Sequence, residues 1–250
     1  MAPSLLRIVI PAYNEARNLT SLCERIADTL GDKSAYRIYA VNDGSSDDTA
    51  AVLAELKKTH PLTDLHHEGN KGIATTFLTG LQAALEGTED DDCVVVLEGD
   101  GTSDPTLIPA MRDALTDDCD VVIASRYIPG GKYLNFPLKR RLLSSGANWL
   151  LRLVYRMPGV RDYTVFYRAY RAGPIKRAIA EFGNRFTSAG GFACNAEMLL
   201  RLRTFIRRAR EVPLVYDYGL KNGKSSMKIG GNIQSYLTLF RLDLPDGSQK

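Results

Sequence analysis

Short apolar runs that end in polar, turn-forming residues recur along the first half of this chain. Ile8-Val9-Ile10 leads into Pro11-Ala12-Tyr13-Asn14-Glu15, and Tyr39-Ala40-Val41 into Asn42-Asp43-Gly44-Ser45-Ser46-Asp47. Val94-Val95-Val96-Leu97 leads in the same way into Glu98-Gly99-Asp100. Continuous apolar runs of this length, bounded by Gly, Pro, Asn and Asp, read as strands shielded on both faces. Between them apolar positions recur at helical spacing, as Leu19, Leu22 and Ile26 do. The pattern predicts strands at Ile8 to Pro11, Arg37 to Asn42, near Leu65, Cys93 to Leu97 and Val121 to Ser125. Helices are predicted up to Leu30, from Ser46 to His60, and through Leu85 and Leu115. Strands alternating with helices specify an α/β fold with a mostly parallel, doubly wound sheet and helices on both faces.

In such a sheet ligands bind where the strands end, so the polar residues at those ends carry the chemistry. Glu98 and Asp100 offer hard oxygen ligands suited to Mg²⁺ or Mn²⁺. The bland alternative is that the pair merely ends a strand while Asp104 caps the next helix. Three polar strand ends opening on one crevice favour a nucleotide pocket instead. Pro11 stops the ladder, Asn14 or Glu15 opens the following helix, and Gly44 permits a tight turn.

With 250 residues and 44% hydrophobic content, the chain can bury one core. A formal charge of +3 is too small for a nucleic-acid binder, although Lys139-Arg140-Arg141 and the segment from Arg201 to Arg210 make the second half cationic. Cys23, Cys93, Cys119 and Cys194 lack metal-ligand spacing and read as reduced, buried thiols of a cytosolic protein. His60, His66 and His67 fall in a connection and receive no chemistry. The pattern contains neither a signal peptide nor about 18 consecutive apolar residues, so a cytoplasmic protein is expected, peripheral at most to a membrane.

The order and spacing of these motifs resemble the inverting glycosyltransferases of family 2 with the GT-A fold, and among them the dolichyl- and polyprenyl-phosphate mannose synthases. The likeness runs from about residue 5 to about residue 240. Besides the three strand ends it includes Asn70-Lys71-Gly72, Ser125-Arg126-Tyr127, Lys139-Arg140-Arg141 with Ser144-Ser145-Gly146-Ala147-Asn148, and Tyr167-Arg168-Ala169-Tyr170-Arg171. Glu211-Val212-Pro213 and Gly223-Lys224-Ser225-Ser226 complete the set. The resemblance implies one domain over residues 1–250. Residues up to about 128 would bind nucleotide-sugar and metal, and the remainder, ending in an amphipathic helix, would bind acceptor.

By that resemblance Pro11, Tyr13, Glu15, Asp43 and Lys71 would hold the donor, with Glu98, Gly99 and Asp100 gripping the sugar nucleotide and its Mg²⁺ or Mn²⁺. Arg126, Arg140 and Ser144 match phosphate-contacting positions, a role suited to guanidinium forks. Lys221 and Lys224 would act on phosphate from a loop closing over the donor. The implied reaction moves mannose from GDP-mannose to a polyprenyl phosphate. A phosphate acceptor is already anionic at neutral pH and needs no base, whereas an alcohol acceptor would need a carboxylate, for which Asp162 and Glu197 are the candidates. Asp100, Arg126, Arg140 and Glu197 are the expected catalytic residues.

Departures from the family pattern leave a UDP-sugar donor or a soluble small-molecule acceptor as the alternative. Glu98 stands for aspartate, Thr102 for a metal-contacting glutamine, Val165-Phe166 for small residues and Asn195 for glutamine. A catalytically impaired subunit that only binds nucleotide-sugar is the remaining reading. Leu142 to Tyr155 has the spacing of a helix at a membrane interface, and more commonly of a buried core helix. Ile233, Tyr236, Leu237 and Phe240 are expected to pack on the sheet.

Overall fold

The computed structural model describes residues 5–31, 35–221 and 229–242. Strands β1 (Leu6–Ala12), β2 (Tyr36–Asn42), β3 (Leu62–His66), β4 (Cys93–Val96) and β5 (Val121–Ser125) match the apolar runs. Helices α1 (Ala16–Leu30), α2 (Thr49–Thr59), α3 (Ile73–Leu85) and α4 (Ile108–Asp113) connect them. Leu19, Leu22 and Ile26 of α1 are fully buried, as their spacing requires.

Four strands went unread in the sequence. A short parallel ribbon joins β6 (Lys132–Leu134) to β9 (Val215–Asp217), and the central sheet gains β7 (Arg168–Arg171) and β8 (Ala209–Pro213). The central order is β3-β2-β1-β4-β7-β5-β8, in which only β7 runs antiparallel to its neighbours. The motif Arg168 to Arg171 is therefore a central strand. Arg168 is fully buried there, donating to the carbonyl oxygens of Asn195 at 2.8 Å and Tyr163 at 2.7 Å. Residues beyond 128 thus supply two strands to the sheet of the first half.

Register places the strand ends together. β1 and β2 pair from Leu6 with Tyr36 to Ala12 with Asn42, so both strands leave the sheet at the same level. Val9 pairs with Val96, which brings Glu98-Gly99 beside Pro11. A Cβ on Gly99 would lie 2.8 Å from the Pro11 carbonyl oxygen, so this approach requires glycine.

Around the sheet lie α5 (Leu138–Tyr155), α6 (Ala172–Phe182), α7 (Ala193–Leu202) and α8 (Ile229–Thr238). In α5 only Asn148 and Leu151 are buried. The core-helix expectation therefore fails, because the helix buries only one narrow stripe and turns Leu138, Leu142, Trp149, Leu153 and Val154 outward. Phe240 stacks on Tyr155 with ring centroids 6.2 Å apart, and the Tyr155 hydroxyl donates to the Leu239 carbonyl oxygen at 2.5 Å. The C-terminal segment thus packs against α5 and α7, and Tyr236 lies within electrostatic reach of Arg168 on β7; the Ile233 side chain lies outside the described residues. No described helix is long and apolar enough to cross a membrane.

Candidate active site

The loops after β1 and β2 lock each other. Asn14 adopts φ 58°, a left-handed conformation Asn tolerates, and its Oδ1 accepts from Ser46 N at 2.8 Å while its own N–H donates to Ser45 Oγ at 2.9 Å. Asp43 is buried and holds the next loop, its two oxygens accepting from Lys71 N at 2.8 Å and Gly72 N at 2.9 Å. His67 Nδ1 meets Asp43 Oδ1 at 2.7 Å. This histidine, discounted in the sequence, thus orients the carboxylate, and only the tertiary fold reveals the pairing.

These loops and the end of β4 enclose a cavity of about 680 Å³ lined by Pro11, Tyr13, Glu15, Asp43, Asn70, Gly72, Glu98, Gly99, Asp100 and Lys221. Lys71 contributes its backbone to Asp43 but does not line the space. Asn18 Nδ2 donates to Glu15 Oε2 at 2.6 Å, while burial raises the Glu15 pKa.

Asp100 stands on the wall of this cavity. Its Oδ1 accepts from Thr102 N at 3.1 Å and Thr102 Oγ1 at 2.5 Å, and its Oδ2 from Lys221 Nζ at 2.6 Å. Thr102, the residue in place of glutamine, therefore braces Asp100. Burial first, and then the neighbouring Asp100, push the Glu98 carboxyl up to about 8. Asp104 caps the 3₁₀ turn Pro105–Leu107 through Thr106 N, as the bland reading held for that residue.

A second cavity, of about 380 Å³, opens on the other side of the same wall. Glu98, Asp100, Lys221 and Phe192 line both spaces. The remaining walls are mainly apolar, including Leu142, Leu143, Leu150, Val165, Phe166, Leu237 and Phe240, with Arg126, Arg140 and Ser144 among them. Val165 and Phe166 do add bulk here, since Phe166 stacks on Phe77 at 4.9 Å. Asn195 fixes that segment by donating from Nδ2 to the Val165 carbonyl oxygen.

Arg126, at the end of β5, forms a bidentate pair with Asp162, both contacts at 2.7 Å, and donates from Nη2 to Thr164 Oγ1 at 2.7 Å. Tyr133, Tyr127 and Tyr216 surround it, their ring centroids 4.9, 5.6 and 5.7 Å from its Cζ. Burial opposes the charges, but the pairing raises the arginine pKa and lowers that of Asp162. The Arg126 side-chain bonds come from Nε and Nη2. Arg140 donates from Nη1 to the Tyr218 hydroxyl at 2.8 Å, and Ser144 Oγ lies 3.2 Å from the Tyr133 hydroxyl. Of these partners, the tyrosines of β6 and β9 gave no sequence signal, because each strand has only three residues.

The two carboxylates considered as bases differ from that expectation in placement. Asp162 is fully buried against Arg126. Glu197 is fully buried too, accepting from Ser188 Oγ at 2.7 Å, Ala189 N at 2.6 Å and Arg201, and it lines neither cavity. Lys224 lies outside the described residues.

The acidic pair fits one divalent cation in part. Lys221 already sets a positive charge on Asp100 Oδ2, which marks the position as one that stabilises a cation. Among the described residues no three His, Cys, Asp or Glu side chains converge, so further ligands would have to come from a bound diphosphate or water.

Comparison with known proteins agrees with this arrangement. The chain is 30% identical over 237 residues to a dolichol-phosphate mannosyltransferase of Pyrococcus furiosus, covering 94% of this chain and 62% of the relative. It is 32% identical over 172 residues to a polyprenol monophosphomannose synthase of Mycolicibacterium smegmatis, covering 68% and 63%. An undecaprenyl-phosphate mannosyltransferase of Micrococcus luteus is 27% identical over 209 residues, with 83% and 82% covered. The chain therefore spans about three fifths of the length of the first two relatives. Among solved structures, glucosyl-3-phosphoglycerate synthase from Mycobacterium tuberculosis, crystallised with Mn²⁺, UDP and glucosyl-3-phosphoglycerate, superposes with a TM-score of 0.66 at 16% identity. That match covers 98% of this chain and 82% of the other, and it establishes a shared GT-A fold. The model of Glycosyl transferase family 2 matches residues 7–179, and the chain belongs to that family.

Proposed function

We propose that this chain is a metal-dependent, inverting hexosyltransferase that transfers mannose from GDP-mannose to a polyprenyl phosphate. The observation carrying the proposal is that a polar and an apolar cavity meet at Glu98, Asp100 and Lys221. The polar side has the size and donor set for a nucleotide-sugar, and the apolar side accommodates a prenyl chain whose phosphate reaches Arg126 and Arg140. The names of the relatives support the same pairing of substrates.

Asp43 fixes the Lys71-Gly72 backbone against the nucleotide, and Glu15 and Tyr13 offer polar contacts to base or ribose. A divalent cation held by Asp100 and Glu98 would neutralise charge on the departing diphosphate. Arg126 Nη1 and Arg140 orient the acceptor phosphate opposite that diphosphate, the geometry an in-line, inverting displacement requires. Asp162 and Glu197 are both closed by protein partners, which supports an acceptor that is already anionic.

The α5 surface supports peripheral contact with a membrane. Six of the eleven exposed large hydrophobic side chains described lie on α5, with Leu138, Leu142 and Trp149 each at least 64% exposed beside Lys139, Arg140 and Arg141. Leu142 also lines the apolar cavity, so a prenyl chain could pass from bilayer to site. Leu142→Ser/Trp149→Ser protein should lose co-flotation with anionic vesicles, and unchanged flotation would remove this contact.

Radiolabelled GDP-mannose and UDP-glucose, each with polyprenyl phosphate and Mn²⁺, test the reaction. Label entering the organic phase only with GDP-mannose and polyprenyl phosphate is expected, whereas a product confined to water would overturn the lipid acceptor. Arg140→Ala should raise the acceptor KM about 10–100-fold with the donor KM unchanged.

A further inference from the structure

Lys221 occupies a place in the site that phosphate binding alone does not explain. Its side chain is largely buried, and its Nζ lies 2.6 Å from Asp100 Oδ2, within electrostatic reach of Glu15 and Glu98. The other oxygen of Asp100 is held by Thr102 N and Oγ1. Both oxygens of the expected metal ligand therefore have protein partners, one of them a full positive charge. A Mg²⁺ or Mn²⁺ ion binds a carboxylate oxygen at about 2.0–2.2 Å. On Asp100 Oδ2 it would stand within a few ångströms of the ammonium, and the two cations would repel each other strongly where water is scarce.

We propose that Lys221 is an internal counter-ion that keeps Asp100 closed to a divalent cation until a nucleoside diphosphate enters. The diphosphate offers the ammonium new anionic partners, Lys221 moves from carboxylate to phosphate, and the freed Oδ2 accepts the cation. Lys221 lines both cavities, so this exchange takes place at their shared wall. Cation and nucleotide then load as a pair, each raising the other's affinity, because one lysine couples the two sites. The proposal rests on the reading of the polar cavity as a nucleotide-sugar site.

Titration calorimetry with Mn²⁺ alone, and with Mn²⁺ in the presence of GDP or UDP, tests it on wild type, Lys221→Met, Lys221→Gln and Lys221→Arg. The neutral variants should bind Mn²⁺ alone at least about tenfold more tightly than wild type, as expected when a charge-assisted hydrogen bond no longer competes. The gain in Mn²⁺ affinity caused by nucleotide should shrink by a similar factor, and Lys221→Arg should follow wild type. Two neutral side chains of different shape, each checked for a native melting curve, separate loss of charge from loss of fold. Mn²⁺ binding by the neutral variants that is no tighter than wild type, or equally undetectable, overturns the counter-ion. Failure of wild type to bind either nucleotide with Mn²⁺ would remove the donor reading, and the Mn²⁺-only titrations would still decide the role of Lys221.

Discussion

The polar and apolar cavities share one wall, yet they are built from different kinds of structure. Strand ends and the loops after them form the polar side, where a parallel register delivers Pro11, Asp43 and Glu98 to one edge of the sheet. The apolar side is assembled from a short ribbon, the exposed helix α5 and the C-terminal segment around Leu237 and Phe240. The sheet fixes the first to within the tolerance of its hydrogen bonds. Side-chain packing and one buried ion pair fix the second. Substitutions on the polar side should therefore act mainly on chemistry with the fold intact, and those beneath the apolar side should also act on stability.

Asp100→Ala is the sharpest test of the first half of that contrast. Removing the aspartate should lower turnover at least about a thousandfold, the several kcal/mol a positioned cation contributes to a departing diphosphate. The circular dichroism spectrum should stay near wild type. Retained turnover would detach the acidic pair from the reaction.

Asp162→Asn probes the other half. It leaves the Arg126 guanidinium buried without its counter-charge, although Thr164 and the tyrosine cage remain. Breaking such a pair costs about 3–5 kcal/mol, so denaturant unfolding should show a loss of that order along with weaker use of the acceptor. A stable variant with a normal acceptor KM would show that Asp162 does not position Arg126.

The same contrast explains what could be read in advance. β1, β2, β4 and β5 were legible because a strand buried on both faces must be apolar throughout, and the residues ending each run marked one edge. β7 was hidden because Arg168 and Arg171 break the apolar run. Buried arginine is tolerated there only because the carbonyl oxygens of Asn195 and Tyr163 meet Arg168, and those partners are distant or local in ways no period encodes. The Arg126 pairing to Asp162 spans 36 residues and the Lys221 pairing to Asp100 spans 121, so neither leaves a local trace. α5 misled for a different reason: its apolar spacing is real, but a stripe at 3.6-residue period says nothing about what covers it.

The last test concerns Glu98, which belongs to both cavities and so probes the wall itself. Its carboxyl is pushed up to about 8 by burial and by Asp100, against an ordinary value of 4.5. Between those values the folded chain keeps a proton that the unfolded chain has released, so metal-free wild type must lose stability as pH rises through that window. Below about pH 4.5 both states are protonated and the term is absent, while above about pH 8 both are ionised and the loss is complete. Glu98→Gln cannot ionise, and its Tm measured without metal should gain on wild type steadily from pH 5 to pH 8 and then run parallel. A difference that stays flat across this range would show that Glu98 is solvated well enough to ionise normally, and that the boundary between the cavities is wet rather than desolvated.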